Sequence, residues 1–545
     1  MIEVSDIRIP LGKAGSEEAL AAAARRGAAR VLGVREARIA QTELHRVSID
    51  ARKKADVHLT AAVRIGLADP AAERRALASV SSRDARRVRA LEPEVPAWPR
   101  ARAASPRRSP VVVGAGCAGL FAALALAEAG LEPLLIERGD DARRRTAAVE
   151  RFNATGELDP ESNIQFGLGG AGTFSDGKLT TGTKNPAHRL ILETLVAAGA
   201  PREILWDAKP HVGSDILPAV VTHIVSRIRE LGGEVRFRCR LTDIERDAAG
   251  AVNGIRVQEG ADPEELIACR DLVLACGHSA RDVFVLLKRR GIELARKTFA
   301  MGARVEHLQS EVDRAQYGPA AGHPALGAAP YKLVAHTDAD RSLFTFCMCP
   351  GGEVVAAASE PGGAVTNGAS LHARAGENAN AALLVNVNPT DLPGDDILAG
   401  VDLQRACERR AFELGGGAYR APAQLVGDFL ADRASAGAGS VAPTYPRGVA
   451  WGRIDETLPS HVADAMRRGI PLLARRLRAF EAEDAVLTGV ESRSSSPVTV
   501  VRDRTCVSVG APGLYPCGEG AGYAGGIMSA ATDGIRVATA IVEGR

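Results

Sequence analysis

Aromatic residues are scarce in this chain of 545, at 4% with three tryptophans. The scarcity matters most in the first 110 residues, which carry 22 Lys/Arg against 13 Asp/Glu while the remainder is acidic. A basic appendage of that kind is a candidate nucleic-acid surface. Single-stranded binding interleaves aromatics with the basic residues so that bases can stack, and here arginines are dispersed through helical stretches without them. The segment reads as a solvated basic face. Nucleic acid is not an expected partner, although a flavoprotein acting on RNA through this segment stays open as an alternative.

CxxC spacing is also missing. Nine cysteines, an odd number, are scattered, which argues against a disulfide framework. Cys347 and Cys349 in "FCMCPGG" are the one close pair. Zinc wants about four ligands at matched spacings, and no second pair is in view. No metal is expected. The pair reads first as two small core residues sharing one strand face, and second as redox or metal chemistry. The start, "MIEVSDIRIP", has no basic region followed by an apolar core, so no signal peptide is expected. The uncharged run from Val111 to Ala127 is short for a membrane span and broken by glycines. A cytoplasmic protein with no membrane partner follows as the expectation. No repeats or low-complexity tracts stand out.

Glycine, by contrast, is abundant, at 57 residues. It has no collagen-like period and clusters in short loops, which points to backbone contacts with a ligand. The length predicts two or three domains. Residues 2–10 alternate as a strand, and 16–33 form a helix opened by a capping serine. Two strand-like runs at 37–50 and 55–67 and a short helix at 70–79 complete a ferredoxin-like α+β domain over 1–95. Five prolines between 91 and 110 mark a linker, placed at 96–109. From 110 the pattern becomes strand, turn, helix, strand, followed by a β-meander with a turn at Ala248–Gly250. The fold class is α/β: a Rossmann-like cofactor domain over 110–300 and 491–545, with an α+β substrate or cap domain inserted at 301–490. That middle stretch reads as many short strands and one long helical piece near 459–481.

Gly114, Gly116 and Gly119 form GxGxxG directly after a strand. The first permits a tight turn, the second lets the backbone approach a pyrophosphate, and the third lets helix pack on strand. The helix N-terminus supplies free N–H groups for phosphate. Glu137 ends the next strand, where an acid can accept hydrogen bonds from a ribose. Whether the dinucleotide is a nicotinamide or a flavin is decided near the C-terminus. "GLYPCGEGAGYAGGIMSAATDGIRVATAI" (513–541) places an acid after a strand and then opens a helix. An FAD lying across the sheet needs both, the acid for ribityl hydroxyls and the helix end for the flavin carbonyl. A plain NAD-dependent dehydrogenase without flavin is the competing enzyme reading.

The chain resembles the uncharacterised FAD-dependent dehydrogenases, a group of NAD(P)/FAD-dependent oxidoreductases with a glutathione-reductase-like FAD fold. The resemblance runs through "GAGCAGLFAALALAEAG", "NIQFGLGGAGTFSDGKL", "KPHVGSD", "FCMCPGGEVVAA", "VTNGASLHARAGENANAALLVNV", "GVESRSSSPVTVVRD" and "CGEGAGYAGGIMSAATDG". It implies FAD as cofactor and oxidoreductase as class, and leaves the substrate open. The expected cofactor set is Gly114, Gly116, Ala118, Gly119, Glu137, Arg138, Gly169, Gly170, Gly277, Gly518, Glu519, Gly525, Gly526 and Ile527. The catalytic candidates are three. Lys178, in a loop with six glycines in twenty residues, would stabilise anionic reduced flavin. Arg493 would clamp a substrate carboxylate or carbonyl, or else pair with Glu491. His372 lies in a polar stretch with Arg374, Asn378 and Asn380. The partners expected are a small organic substrate and an external electron donor or acceptor. There is no second GxGxxG after a strand, so a nicotinamide donor would bind without its own Rossmann unit.

Overall fold

The computed structural model describes residues 1–91, 97–100, 109–337 and 341–544. Of the linker expected at 96–109, residues 96 and 101–108 lie outside the described residues.

The first unit is built in the order strand, helix, strand, strand, helix, strand. Ser16 caps the helix Glu17–Leu32 by accepting from the Ala19 N–H, and Gly33 closes it in the left-handed region. Asp69 caps Pro70–Ala78 in the same way. The antiparallel sheet runs Ile39–Asp50, His58–Leu67, Ile2–Pro10, Val88–Ala90. A register shift between Val4 and Ile7 changes the strand's phase, so Ile2, Val4, Ile7 and Ile9 all enter one core.

The second unit centres on a five-stranded parallel sheet in the order Leu514–Pro516, Leu272–Leu274, Val111–Val113, Leu134–Ile136, Glu234–Arg236. Its central strands are wholly apolar and buried, as strands covered on both faces must be. Helices Cys117–Glu128, Leu217–Glu230 and Ile527–Glu543 build the core on one side. The meander Cys239–Arg246, Val252–Glu259, Glu265–Ile267 and helix Arg281–Arg289 build it on the other.

Between Leu274 and Leu514 the chain forms a seven-stranded sheet. Its order is Val334–His336, Ser342–Cys349, Asn378–Val387, Phe299–Leu308, Val486–Glu491, Ala421–Leu425, Val449–Trp451. The chain crosses from one sheet to the other at Leu294–Arg296 and back at Val498–Val500, and these two crossings pair antiparallel. The helix expected near 459–481 spans Ser460–Ala474 and is followed by a 3-10 turn at Arg478–Glu481. A second helix, Ala399–Leu414, was not expected. Its buried face carries Gln404 and Glu408 among Val401, Cys407 and Ala411, and no side chain caps its start, so the signal that announced Glu17–Leu32 is missing.

No helix among the described residues is long and apolar enough to cross a membrane.

Candidate functional site

The strand Val111–Val113 delivers the chain into the glycine turn. Gly114 sits at φ +100°, and a Cβ there would lie 2.5 Å from the Ala275 carbonyl oxygen. Gly116 caps the helix Cys117–Glu128, and no side chain bonds the first-turn N–H groups. A Cβ on Gly116 would meet nothing nearer than Gly170 Cα, at 3.9 Å. On Gly119 it would stand 1.8 Å from the Gly114 oxygen, so the helix rides directly on the turn.

These residues open onto a cavity of about 720 Å³. The parallel-sheet unit lines it with Gly114, Gly116, Ala118, Glu137, Arg138, Gly169, Gly170, Gly277, Glu519, Gly525, Gly526 and Ile527. Helix Ile527–Glu543 also begins without a side-chain cap, at Gly526. Two helix N-termini with free donors therefore face one space. Gly119 and Gly518, expected as cofactor contacts, are not among the lining residues. Gly119 serves helix packing, and a Cβ on Gly518 would fall 2.6 Å from Ala118 Cβ. They are packing residues behind the wall.

Glu137 is buried, and its carboxylate holds the turn together. Oε2 accepts from the Ala115 N–H at 2.8 Å, and Oε1 accepts from Gly139 and Gly167 at 2.9 Å each. Arg138 lies over the Phe166 ring at 4.3 Å and donates to Glu161 (2.8 Å) and Asp282 (3.0 Å). Beneath the loop sits Arg145, which the sequence reading missed. Its guanidinium is fully buried and donates to the carbonyls of Asn163, Ile164, Gly167 and Leu168 at 2.7–3.2 Å. Burial pulls its pKa down to about 9, against the pull of Glu137. The loop around the cavity is thus shaped by one cation spending its donors on backbone oxygens. Only distant contacts reveal that role.

His278, also missed, lines the cavity with Nε2 3.6 Å from Glu519 Oε1. Burial, then Arg493, Arg281 and Lys297, lower the imidazole to about 3, so it is neutral near pH 7. Burial raises Glu519 to about 7 against the attraction of Lys297. A carboxyl titrating near neutrality therefore sits beside the closing helix.

The seven-stranded unit completes the wall with Tyr331, Lys332, Thr345, Phe346, Cys347, Asn367 and Arg374. Lys178 faces it from the glycine-rich loop, 3.1 Å from Asp176 Oδ2. Asp176 also accepts from Arg374 at 2.9 and 2.6 Å. Burial alone would raise the Asp176 carboxyl, but Lys178 and Arg374 outweigh it and hold it near 2. Behind them Arg304, wholly buried and unanticipated, donates to Glu491 (2.9 Å), Asn380 (2.9 Å), Asn367 (2.9 Å) and the Cys347 carbonyl (3.0 Å).

Two of the three catalytic candidates, Arg493 and His372, are not placed as the sequence suggests. Arg493 does not pair with Glu491; its Nε and Nη2 bind Glu408 at 3.0 and 2.8 Å, and Nη1 binds Ser359. The fork expected to clamp a substrate is already filled, although the residue borders the cavity. Glu408 takes Arg281 as well, at 2.7 and 2.9 Å, and the Ser492 hydroxyl at 2.6 Å. His372 is not among the cavity-lining residues. Its ring stacks on His211 at 5.1 Å, Nε2 lies 3.1 Å from Glu203, and its N–H donates to Asp215. It belongs to the seam between units. Among the described residues no group of three or more His, Cys, Asp or Glu could hold a metal ion.

The donor set fits an FAD. The cavity offers two uncapped helix ends, and its wall at Gly116, Gly277, Gly525 and Gly526 leaves open space where side chains would stand.

Comparison with known proteins agrees. Residues 109–150 match the FAD binding domain, residues 298–494 match "FAD-dependent protein, C-terminal domain-like", and residues 1–66 match a domain of unknown function (DUF8436). Among solved structures, the chain is similar to the flavin-dependent brominase Bmp2 (15% identity, TM-score 0.35, 80% of this chain and 79% of that one). It is also similar to a geranylgeranyl bacteriochlorophyll reductase-like protein from Thermoplasma acidophilum (11%, 0.33, 80% and 79%). A protein of Clostridium beijerinckii described as uncharacterized is 45% identical over 508 residues, 93% of each chain. With that relative and the two FAD-linked segments, the chain belongs to the family of FAD-dependent proteins, and FAD is its cofactor.

Proposed function

We propose that the protein is an oxidoreductase passing hydride or an electron pair between a small organic substrate and the N5 position of FAD. The observation that carries the reading is one cavity onto which both uncapped helix N-termini open. In this reading residues 110–300 and 491–545 form the FAD domain, 301–490 the substrate or cap domain, and 1–95 a ferredoxin-like domain. The strand order of the first unit supports the last assignment. The first-turn N–H groups after Gly116 would hold the pyrophosphate, and Glu137 would meet the ribose while keeping its backbone bonds. Glu519 and the Gly526–Ile527 helix start would face the flavin side. FAD, when bound, supplies the two-electron chemistry. Lys178 brings a cation to the same cavity, which suits a reduced flavin carrying negative charge. Tyr331, Asn367 and Arg374 form the wall against which a substrate would be oriented.

Anaerobic titration with NADH, NADPH and candidate substrates tests this. The expected result is bleaching of the bound flavin by at least one donor and its return on adding an acceptor. A protein that purifies with FAD whose spectrum no two-electron donor alters would remove the oxidoreductase reading.

A further inference from the structure

The pair at Cys347 and Cys349 is unused in the reading above, and only Cys349 is a core residue. The strand Ser342–Cys349 pairs through Phe346 with Ala382 and then through Cys349 with Asn380, so Cys347 and Met348 together oppose a single residue. Such a bulge re-aims a side chain, and bulges gather at active sites. Cys347 sits at φ +42°, in the left-handed region that non-glycine residues rarely adopt. The Arg304 guanidinium holds it there through the Cys347 carbonyl. The outcome is a division of labour: Cys347 lines the cavity while Cys349 is fully buried behind it. The Cys349 thiol donates to the Cys347 carbonyl at 3.2 Å and lies 3.9 Å from Lys178 Nζ.

We propose that Cys347 and Cys349 form a dithiol that exchanges with small disulfides admitted to the cavity, Cys347 attacking and Cys349 resolving. This names a substrate class for the site described above. Only the turnover of the pair rests on the oxidoreductase reading; the exchange itself needs nothing but the two thiols.

The surroundings suit the roles. The groups facing Cys347 are Cys349, Lys178, Arg304, Asp176, Glu491 and Glu519. The neighbouring Cys349 thiol, then Lys178 and Arg304, draw the Cys347 thiol well below its ordinary value against the effect of burial. Cys347, with burial, pushes Cys349 up. Cys117, Cys239 and Cys276 line the same cavity, but burial raises all three thiols, Cys117 to about 12 and Cys239 to about 11. The thiolate is the nucleophile, so only the Cys347 sulfur is ready to attack.

In the first step the Cys347 thiolate bonds to one sulfur of R–S–S–R′, the S–S bond breaks, and R′S⁻ leaves with a proton from the Lys178 ammonium. In the second, Cys349 gives its proton to Lys178 and attacks the Cys347 sulfur, expelling RS⁻. Two electrons have passed from the pair to the substrate, leaving a 347–349 disulfide, R′SH and RS⁻. Restoring the pair takes two electrons and one proton, the electron count a flavin carries.

Oxidised glutathione is the probe, applied to flavin-stripped and flavin-loaded protein, with peptide mass spectrometry as readout. The stripped wild type should gain a 347–349 disulfide. Cys349→Ser should trap a glutathione adduct on Cys347, and Cys347→Ser should do neither. Iodoacetamide at pH 7 should label Cys347 at least about tenfold faster than Cys117, since each pKa unit scales the thiolate fraction tenfold. Lys178→Gln should slow that labelling. The proposal is overturned if the wild type forms no 347–349 disulfide, or if Cys349→Ser traps no adduct. Exchange in stripped protein without any flavin response in loaded protein supports the pair and counts against the oxidoreductase reading instead.

Discussion

Gly116 and Gly119 stand in one motif and answer to different constraints. Gly116 has φ −76° and ψ −179°, an extended conformation open to any residue, and the space beyond its Cα is clear to 3.9 Å. A side chain there offends only what the cavity holds. Gly119 has the Gly114 carbonyl 1.8 Å from where its Cβ would be, so a side chain there offends the fold itself. Gly116→Val is expected to yield soluble, colourless protein whose melting matches that of flavin-stripped wild type. Its flavin content should fall about tenfold or more, a loss of about 1.4 kcal/mol in binding. Gly119→Val should reduce soluble yield or melting temperature even without flavin. Far-UV melting and the flavin-to-protein absorbance ratio read both. A yellow Gly116→Val protein would take that residue away from the cofactor. The motif was legible because its logic is local: a turn, a close approach and a packing contact within six residues. Partner choice was not. Arg304 reaches Glu491 across 187 residues, and Arg493 reaches Glu408 across 85. No pattern near Arg493 could say that a helix from another part of the chain had claimed its donors.

At the scale of elements, that helix, Ala399–Leu414, turns a substrate clamp into a structural knot. Glu408 projects from it into two arginines, Arg281 from the helix of the parallel-sheet unit and Arg493 from the returning chain. Burial alone would raise its carboxyl, yet the two guanidinium groups hold it well below the ordinary carboxylate range. Removing part of a buried, fully bonded network leaves charge uncompensated. Arg493→Lys keeps a charge but cannot reproduce two parallel N–H donors to Glu408 together with a third to Ser359. The variant is expected to lose about 1–3 kcal/mol of stability while keeping normal turnover per bound flavin. Denaturant melts, flavin content and a per-flavin rate separate the outcomes. A variant with unchanged melting and lost turnover would restore Arg493 to the substrate. Elements with a local start signal, the capping serine before Glu17–Leu32 and the glycine pair before Ile527–Glu543, were readable ahead of the structure, and the one that built the knot was not, because no side chain caps its start.

For the whole molecule, the first unit acts as a brace across the other two. Its strand Ile39–Asp50 adds backbone bonds to the parallel-sheet unit, Val47 N–H to Trp206 O at 2.7 Å and Ala208 N–H to Val47 O at 2.8 Å. Trp206 packs against the core of the first unit, while Leu11, Ala51 and Val57 pack against that of the seven-stranded unit. Lys54 donates to the Gln316 carbonyl on the same side. The docking segment runs straight into Ala208 and Lys209, which line the cavity, whereas no described residue before Val113 does. Its place in the fold is therefore to fix one wall of the cavity without touching what binds there. Trp206→Glu puts a charge into that apolar seam, where burying it unpaired costs several kcal/mol, so undocking of residues 1–91 is the cheaper response. The full-length variant should keep stoichiometric FAD, become more sensitive to proteolysis near the 91–109 junction, and show stronger iodide quenching of flavin fluorescence. Loss of FAD together with the undocking would mean that the first unit holds the cofactor pocket shut. Unchanged quenching in an undocked protein would mean that the wall at Ala208 and Lys209 stands without its brace.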